Sequence, residues 1–386
     1  DLIVGLDGHI YNGREFGQPY DSDAQLVGDL YRRYGFQGTV ERLNGDFAIS
    51  LHDRANQTTW LARDRFGVKP LYYANGSTSF SFSSRPRALL TLPYVTNTVN
   101  KAFIVRFAGS HYRYFDNAPH ESPYRDIAQL PAAHLLCIKD AKVTTIRYWS
   151  IQDLTDLETP VAELAIDYRD LLLDAVAVRL KAARHPVFSL SGGMDSSSVL
   201  ASAVKLTGQR QQAISTVYQD STYDESDDIQ SMLKTHVSEW HPVNIGTPNV
   251  IDLIQKMVRD HDEPVATATW LAHYVMCQSV TTRGFDSLFG GLGGDELNAG
   301  EYEYFTFFFA DLHHKKQMQS LREEVSLWEY HHDHPIFKKN FGAMERNLRK
   351  LTEPAHPGRC LPDLERLHRY DEAISKEFYD LSNFEP

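Results

Sequence analysis

The sequence predicts two domains, an α+β region at residues 1–150 followed by an α/β region with a parallel sheet at residues 151–386. The first region alternates apolar and polar residues over short stretches that are separated by turn residues, a pattern typical of strands. From Val161 onward, helix-like and strand-like segments alternate, as they do around a parallel sheet. A polar, acidic segment at 149–159 marks the predicted boundary.

The first region is expected to contain mostly strands. Near-alternation or apolar runs predict strands at 2–6, 46–52, 58–62, 71–74 and 80–83. Asn75-Gly76 is a tight-turn signal between the last two of these strands. One helix is predicted at 24–34, where apolar residues fall at helical spacing after the start signals Ser22 and Asp23.

The second region is expected to alternate between helices and strands. Helices are predicted at 161–183, 197–206 and 227–236, and strands at 187–190, 213–218 and 241–245. Beyond Gly300 the sequence is mainly helical in character.

Composition excludes several classes of protein. Apolar residues make up 42% and charged residues 23% of the 386 residues, which is ordinary for a soluble globular chain. The sequence contains no run of 18 apolar residues, so it predicts no membrane span. Its net charge of −12 argues against a nucleic-acid-binding surface. The widely spaced Cys137, Cys277 and Cys360 indicate neither a disulfide framework nor a zinc site. The simplest location is a reducing cytoplasm.

The beginning of the sequence lies inside a strand-like segment. Residue 1 is Asp, and residues 2–6 already have the character of a buried strand. The first domain is therefore expected to be incomplete at its start.

The sequence SGGMDSS, residues 191–197, follows a predicted strand and precedes a predicted helix. Its glycines allow backbone N–H groups to approach an anion, and the following helix adds the positive end of its dipole. Hydroxyl groups of Ser191, Ser196 and Ser197 can donate to the same anion, whereas Asp195 is suited to hold Mg²⁺. The Lys-Ser/Thr pair of a Walker A loop is missing. A plain Gly/Ser turn at a sheet edge is the alternative.

These residues resemble known motifs. SGGMDSS resembles the pyrophosphate loop of the N-type ATP pyrophosphatases. The segments DGHIYN at 7–12, LNGDFA at 43–48 and RDRFGVKPLY at 63–72 resemble class II glutamine amidotransferases. Together they resemble the glutamine-hydrolysing asparagine synthetase family over roughly residues 1–305.

The resemblance implies a fold and a function. The fold is an αββα amidotransferase-like sandwich, incomplete at its start, followed by a parallel-sheet domain like the adenine nucleotide α-hydrolases. The function is an ATP-dependent amide-forming ligase that makes an acyl-adenylate and transfers ammonia, from glutamine if the full-length protein has the N-terminal Cys. ATP and Mg²⁺ are the implied cofactors, and small molecules are the implied partners. A homodimer remains open.

The resemblance also implies the site residues. The segment LFGGLGGDEL at 288–297 resembles the family's SGEGSDE segment. Asp195 and Asp295 would be metal ligands and, with Glu296, the catalytic residues, although Glu296 is also expected to cap a helix. The residues expected at glutamine are Asp7, Gly8 and Asp23. Those expected at ATP and its pyrophosphate are Leu190, Ser191, Gly192, Gly193, Asp195, Ser196, Ser197, Val217, Gly290 and Gly291.

Four departures from the family pattern leave the reaction open. The family's nucleophilic cysteine has no counterpart near residue 1, and Cys137 has the sequence context of a core strand. Asp7 replaces an asparagine whose amide helps to stabilise the oxyanion, and a carboxylate would repel that charge. Leu292 replaces a glutamate thought to do acid–base work on the amine, and Gly290 replaces a serine that touches ATP.

Two alternatives follow from these departures. The first is an enzyme like the β-lactam or macrolactam synthetases, with an internal amine and a vestigial glutaminase domain. The second is a catalytically dead nucleotide-binding regulator.

The acidic pair Asp224-Glu225 at the start of a predicted helix has two interpretations. It is either a helix cap or part of the nucleotide site.

Overall fold

A computed structural model describes residues 1–17, 19–110, 118–151, 159–218, 225–227, 229–246, 249–265, 267–298, 300, 302–331, 339–350 and 377–378. The predicted boundary segment lies partly outside these residues, and Asp224 and Cys360 lie outside them entirely.

Strands and helices occur in two compact units, unit 1 (Asp1–Ala182, Thr247–Tyr274 and Cys360–Pro386) and unit 2 (Ala183–Gly246 and Val275–Arg359). Strands within the described residues are β1 Leu2–Ile10, β2 Gly45–Asp53, β3 Thr58–Arg63, β4 Tyr72–Asn75, β5 Phe80–Ser83, β6 Ala128–Gln129, β7 His134–Lys139, β8 Lys142–Arg147, β9 Pro186–Ser189, β10 Gln211–Val217, β11 Val237–Asn244 and β12 Ser287–Phe289. Helices there are α1 Asp23–Arg42, α2 Pro86–Leu89, α3 Lys101–Ser110, α4 Val161–Leu180, α5 Met194–Thr207, α6 Gln230–His236, α7 Val250–His261, α8 Ala268–Thr282, α9 Gly294–Asn298, α10 Tyr302–His314, α11 Met318–His331 and α12 Phe341–Lys350.

Unit 1 contains two antiparallel sheets. The larger sheet has the order β1-β2-β3-β7-β8, and the smaller one has the order β5-β4-β6. Helix α1 buries Leu26 and Leu30 in one cluster with Ile49 and Leu135 of the larger sheet. Because side chains alternate along a strand, Leu61 and its neighbours on the opposite side join a second cluster, which includes Tyr73 and Phe80 of the smaller sheet.

The start of helix α1 and the break inside it both lie at residues that favour them, Ser22 and Gly35. The Ser22 side chain accepts the backbone N–H of Gln25 at 3.2 Å, which is the N-cap interaction expected of serine. Gly35 has a φ of 70°, and this left-handed conformation interrupts the helix directly after the predicted segment 24–34.

Unit 2 contains the parallel sheet that the sequence predicts. Its strand order is β11-β10-β9-β12, and the pairings of β9 with β10 and β12, and of β10 with β11, are parallel. Val187, Ile214 and Val243 of the sheet share a buried cluster with Met276 and Val280 of α8. Burial of strand residues by a helix explains why these strands are apolar without strict alternation.

Two local features of unit 2 differ from what the sequence predicts. Helix α5 begins at Met194 rather than Ser197, because the aspartate and serines of its first turn are residue types that are also typical of loops. The segment 288–297 begins inside the three-residue strand β12, which was not among the predicted strands. So short a strand offers too few residues for a period-two pattern.

The described part of unit 2 after Gly300 is helical, as predicted. Helices α10, α11 and α12 bury Phe309, Leu321, Val325, Trp328 and Met344 in one cluster. Across the described residues, each helix is too short or too polar to span a bilayer.

Candidate functional site

The site in unit 2 lies where the direction of the chain across the sheet reverses. From β9 the chain continues outward through β10 to β11, and β12 then returns to the opposite side of β9. The loops that follow β9 and β12 therefore leave the carboxyl ends of adjacent parallel strands. In open α/β sheets, this reversal point is where ligands bind.

The loop after β9 is fixed by its own side chains and by β10. Leu190 is buried, its N–H donates to the Ile214 carbonyl at 2.9 Å, and its carbonyl accepts the Ser215 hydroxyl at 2.6 Å. Ser196 is 6% exposed, and its Oγ accepts the Ser191 N–H at 3.1 Å and lies 2.9 Å from Ser191 Oγ. Ser196 therefore shapes the loop from within.

The first turn of α5 carries the remaining candidates from SGGMDSS. Asp195 and Ser197 are partly buried there, and the Ser197 N–H donates to the Gly193 carbonyl at 3.4 Å. Gly193 is the N-cap residue and has no side chain to cap the helix. The positive end of the α5 dipole therefore faces the loop rather than a capping side chain.

Glycines in the loop after β12 permit close approach to the first loop. A methyl group at Gly291 would lie 2.7 Å from Asp195 Cβ, and one at Gly290 would lie 2.6 Å from Ser189 Oγ. A methyl group at Gly294 would overlap the Asp195 carboxylate. Real Cβ atoms do not approach so closely. A side chain at Gly291 would meet the backbone of Asp195 and push the two segments apart, whereas one at Gly290 or Gly294 would displace the Ser189 hydroxyl or the Asp195 carboxylate.

The structure brings Asp195 next to the start of α9, the helix that carries Asp295 and Glu296. The Asp295 carboxylate lies against Gly300, where a methyl group would overlap it. Glu296 is exposed on α9 instead of pointing inward. Among the described residues, no group of three His, Cys, Asp or Glu side chains is arranged to hold a metal ion, so any cation here would need oxygens from a ligand or from water.

Leu292 and Val217 occupy different positions relative to the two loops. Leu292 lies between the glycine pairs of the second loop and is 91% exposed. Val217 is the last residue of β10, and its carbonyl accepts the Ile245 N–H at 3.0 Å.

Glu225 contributes a contact to this site for which sequence reasoning gave only a minor alternative. The Gly192 N–H donates to Glu225 Oε2 at 2.8 Å. The pair joins the loop after β9 to the segment that precedes α6, so it depends on the fold rather than on local sequence. The only sequence signal was the acidic pair Asp224-Glu225 near a helix start.

The predicted glutamine-binding residues of unit 1 lie on β1 and α1. The Asp7 carboxylate forms an ion pair with Lys69 Nζ at 3.2 Å. Gly8 has a φ of 126°, and a methyl group there would overlap the Asp46 carbonyl. The Asp23 carboxylate accepts the Ile10 N–H at 2.9 Å, so it already has a donor from its own chain.

Lys69 is held at Asp7 by a turn built around a buried carboxylate. Asp64 is 1% exposed and accepts the N–H groups of Phe66, Val68 and Lys69 at 2.9–3.1 Å. The Lys69 carbonyl accepts Arg63 Nε at 2.7 Å. Lys69 was part of a recognised motif, but the sequence did not show that it would face Asp7.

Polar groups beside this site also satisfy one another. The Tyr11 hydroxyl donates to Asp46 Oδ2 at 2.7 Å, and the Arg179 guanidinium lies 4.8 Å from the centre of the Tyr11 ring. Burial, followed by the hydrogen bond to Asp46, raises the pKa of Tyr11.

Cys137 lies on β7, as its sequence context predicted. Burial raises the pKa of its thiol, which disfavours the nucleophilic thiolate.

Comparisons with known families match both regions of the chain. The family described as "Glutamine amidotransferase domain" matches residues 1–149. The family described as "Asparagine synthase" matches residues 167–379, more than half of the chain. The two matches confirm the predicted two-domain architecture.

Curated proteins give the same family. Asparagine synthetase [glutamine-hydrolyzing] of Gallus gallus is 29% identical over 327 residues, covering 79% of this chain and 55% of that protein. Asparagine synthetase [glutamine-hydrolyzing] 3 of Bacillus subtilis is 25% identical over 321 residues, covering 79% of this chain and 51% of that protein. The chain thus spans little more than half the length of these relatives.

Solved structures overlap more weakly. Glutamine phosphoribosylpyrophosphate amidotransferase from B. subtilis is 13% identical, with 74% of this chain and 70% of that chain covered, at a TM-score of 0.28. An overlap of this size carries no argument about the function.

Proposed function

The chain belongs to the asparagine synthase family, and from this premise we propose that it is an ATP-dependent carbon–nitrogen ligase. In the proposed reaction a substrate carboxylate attacks the α-phosphate of ATP, pyrophosphate leaves, and an amine displaces AMP from the acyl-adenylate. The observation that carries the proposal is the contact between two glycine-rich segments, 191–197 and 290–296, each of which runs from a loop into the start of a helix at the reversal point of the parallel sheet.

The proposed ATP site uses the ten residues predicted from the sequence. The loop backbone and the α5 dipole stabilise the pyrophosphate, and the hydroxyls of Ser191 and Ser197 add donors. Ser196 positions Ser191 through its own hydrogen bonds. Leu190, Val217, Gly290 and Gly291 shape the walls around the nucleotide.

Magnesium fits the carboxylates of this site. Asp195 and Asp295 offer hard oxygen ligands on adjoining segments, and Gly294 keeps the space beside Asp195 free of a side chain. When bound, the ion supplies positive charge that stabilises the leaving pyrophosphate. Glu296 is proposed to act on protons at the reacting groups, because its exposure leaves it accessible to a substrate.

Unit 1 favours a second candidate for the source of the amine. Asp7 is paired with Lys69, so the position that should donate to an oxyanion carries an acceptor bound to a cation. This pair supports a ligase that uses an internal amine of the substrate, like the β-lactam and macrolactam synthetases, with a vestigial glutaminase domain. Glutamine binding by Asp7, Gly8 and Asp23 in an αββα sandwich remains the first candidate.

The domain division at residues 150 and 151, the cytoplasmic location and a homodimer remain predictions. With Leu292 where the family has a glutamate, we expect aspartate to be amidated poorly and another carboxylate to be preferred.

The test is exchange of labelled pyrophosphate into ATP with a panel of carboxylic acids that includes aspartate. We expect one or more acids to support exchange, and Asp195→Asn to reduce it by about 10²-fold or more, because its carboxylate is proposed to hold the Mg²⁺ that stabilises the leaving pyrophosphate. Asp227→Asn, an exposed carboxylate outside the two loops, is the matched control. ATP binding without exchange for any acid would point to the nucleotide-binding regulator instead.

The acceptor step is tested separately with Leu292→Glu. Asparagine and AMP are counted for both proteins with aspartate, ATP and either glutamine or ammonia. We expect the substitution to increase asparagine formation, because a base at this position is worth about 10²–10⁴-fold. Asparagine formation by the unsubstituted protein that the change does not improve would show that Leu292 is irrelevant.

A further inference from the structure

The loop that is proposed to bind pyrophosphate already holds a negative group from its own chain. Of the three consecutive backbone N–H groups at 191–193, that of Ser191 donates to Ser196 Oγ at 3.1 Å, and that of Gly193 donates to Ser191 Oγ at 3.2 Å. The N–H of Gly192 donates instead to Glu225 Oε2 at 2.8 Å. Of these three residues, Gly192 is therefore the one whose N–H donates to a group outside the loop.

The segment that presents Glu225 is anchored. The Glu225 carbonyl accepts the N–H of Ile229 at 3.3 Å, and Ile229 is only 1% exposed. The Glu225 side chain itself is exposed. An anchored backbone with an exposed carboxylate can keep the contact with Gly192 and can also release it by rotating the side chain.

A carboxylate and a phosphate oxygen compete for the same kind of donor. Both accept hydrogen bonds from backbone N–H groups, and both carry negative charge, so they also repel each other. We infer that Glu225 competes with the phosphate groups of the nucleotide for the Gly192 N–H, and that binding requires its carboxylate to leave the loop. This inference rests on the proposed function, because it takes the ligand to be a nucleotide polyphosphate.

The competition makes nucleotide binding depend on metal. Once displaced, the Glu225 carboxylate remains near the polyphosphate, and a divalent cation on the phosphates reduces the repulsion between them. Glu225 therefore penalises metal-free ATP more than Mg-ATP, and acts as a specificity-determining residue for the metal complex.

The experiment measures the Kd of ATP, with and without Mg²⁺, by calorimetry for the unsubstituted protein, Glu225→Gln and Glu225→Ala. An exposed charged contact predicts about two- to fivefold tighter binding of metal-free ATP by Glu225→Ala. Glu225→Gln should fall between the two, since its amide oxygen can still accept the N–H without the charge. Asp227→Asn, two residues along the same segment, is the charge-matched control and should leave both Kd values unchanged.

The outcomes separate the inference from the function on which it rests. Equal or weaker ATP binding by Glu225→Ala, with ATP binding intact in the unsubstituted protein, overturns the competition alone. Failure of all three proteins to bind ATP in either form overturns the proposed function and the competition with it. The amide resonance of Gly192 gives a check without nucleotide, and it must shift in Glu225→Ala for the contact to exist in solution.

Discussion

The two units differ in how they accommodate a departure from the family pattern. In unit 1, the negative charge that Asp7 introduces is paired with Lys69 at 3.2 Å, and Lys69 is fixed by the turn around Asp64. In unit 2, the apolar side chain of Leu292 is 91% exposed. The first change is stabilised within the fold, whereas the second faces whatever approaches the site.

The contrast distinguishes a change that alters stability from one that alters chemistry. A charge paired with another residue of the same unit needs no ligand to stabilise it. A large apolar group in water gains free energy when a ligand or a neighbouring element covers it. We therefore expect substitutions near Asp7 to change the stability of unit 1, and substitutions in the loops of unit 2 to change catalysis.

The largest expected effect tests the catalytic side of this contrast. Gly294→Ala should reduce pyrophosphate exchange by about 10²-fold, because its methyl group would displace the Asp195 carboxylate and small misplacements of reacting groups cost that much. Gly246→Ala in the same unit is the matched control, since a methyl group there meets no atom within 4 Å. Circular dichroism must show both variants folded, and full exchange by a folded Gly294→Ala would break the contrast.

Local patterns in the sequence predicted much of both units. Period-two alternation located β2 and β5, and Ser22 identified the start of α1 because its cap interaction lies within three residues. The order strand, loop, helix was also predicted around 191–197, although α5 begins inside this stretch at Met194.

Contacts between distant segments could not be predicted in this way. Lys69 meets Asp7 only because β1 and the turn around Asp64 come together in the folded sheet, and Glu225 meets Gly192 only once β9 and β10 are paired. Neither contact has a periodicity of its own. The sequence can therefore suggest the residue types of a site, while the pairs that decide its charge depend on tertiary packing.

A second prediction sharpens the view that polar pairs in unit 1 serve stability. The Tyr31 hydroxyl donates to Asp53 Oδ2 at 2.8 Å, and burial followed by this hydrogen bond raises the pKa of Tyr31 to about 12. The unfolded chain ionises this group near its ordinary pKa of about 10. The stability that results is present below about pH 10 and is lost as pH rises through about 12.

Tyr31→Phe should therefore flatten the fall in stability between these pH values, as followed by urea unfolding. Tyr34→Phe is the reference variant, because it removes one hydroxyl from the same helix. Identical alkaline profiles for Tyr31→Phe and the unsubstituted protein would show that this pair does not contribute.

The same pair also affects stability at low pH. The hydrogen bonds from Asn56 and then Tyr31 lower the pKa of Asp53 to about 2. Asp53 therefore stabilises the fold above about pH 4, and this stability is lost toward pH 2.

The smallest expected effect tests the Asp7–Lys69 pair itself. Its side chains are 53% and 33% exposed, so solvent screens the pair and we expect a coupling free energy of about 0.2–1 kcal/mol. A double-mutant cycle of Asp7→Asn and Lys69→Met, measured by urea unfolding, isolates this term. The Asp29–Arg32 pair of α1, at 2.7 Å with side chains 32% and 60% exposed, provides a comparison of similar exposure. Both couplings should decrease in 1 M salt, where the screening length is about 3 Å. A coupling of zero at low salt would mean that the charge of Asp7 is not stabilised by the fold, and Asp7 would then face an approaching ligand just as Leu292 does.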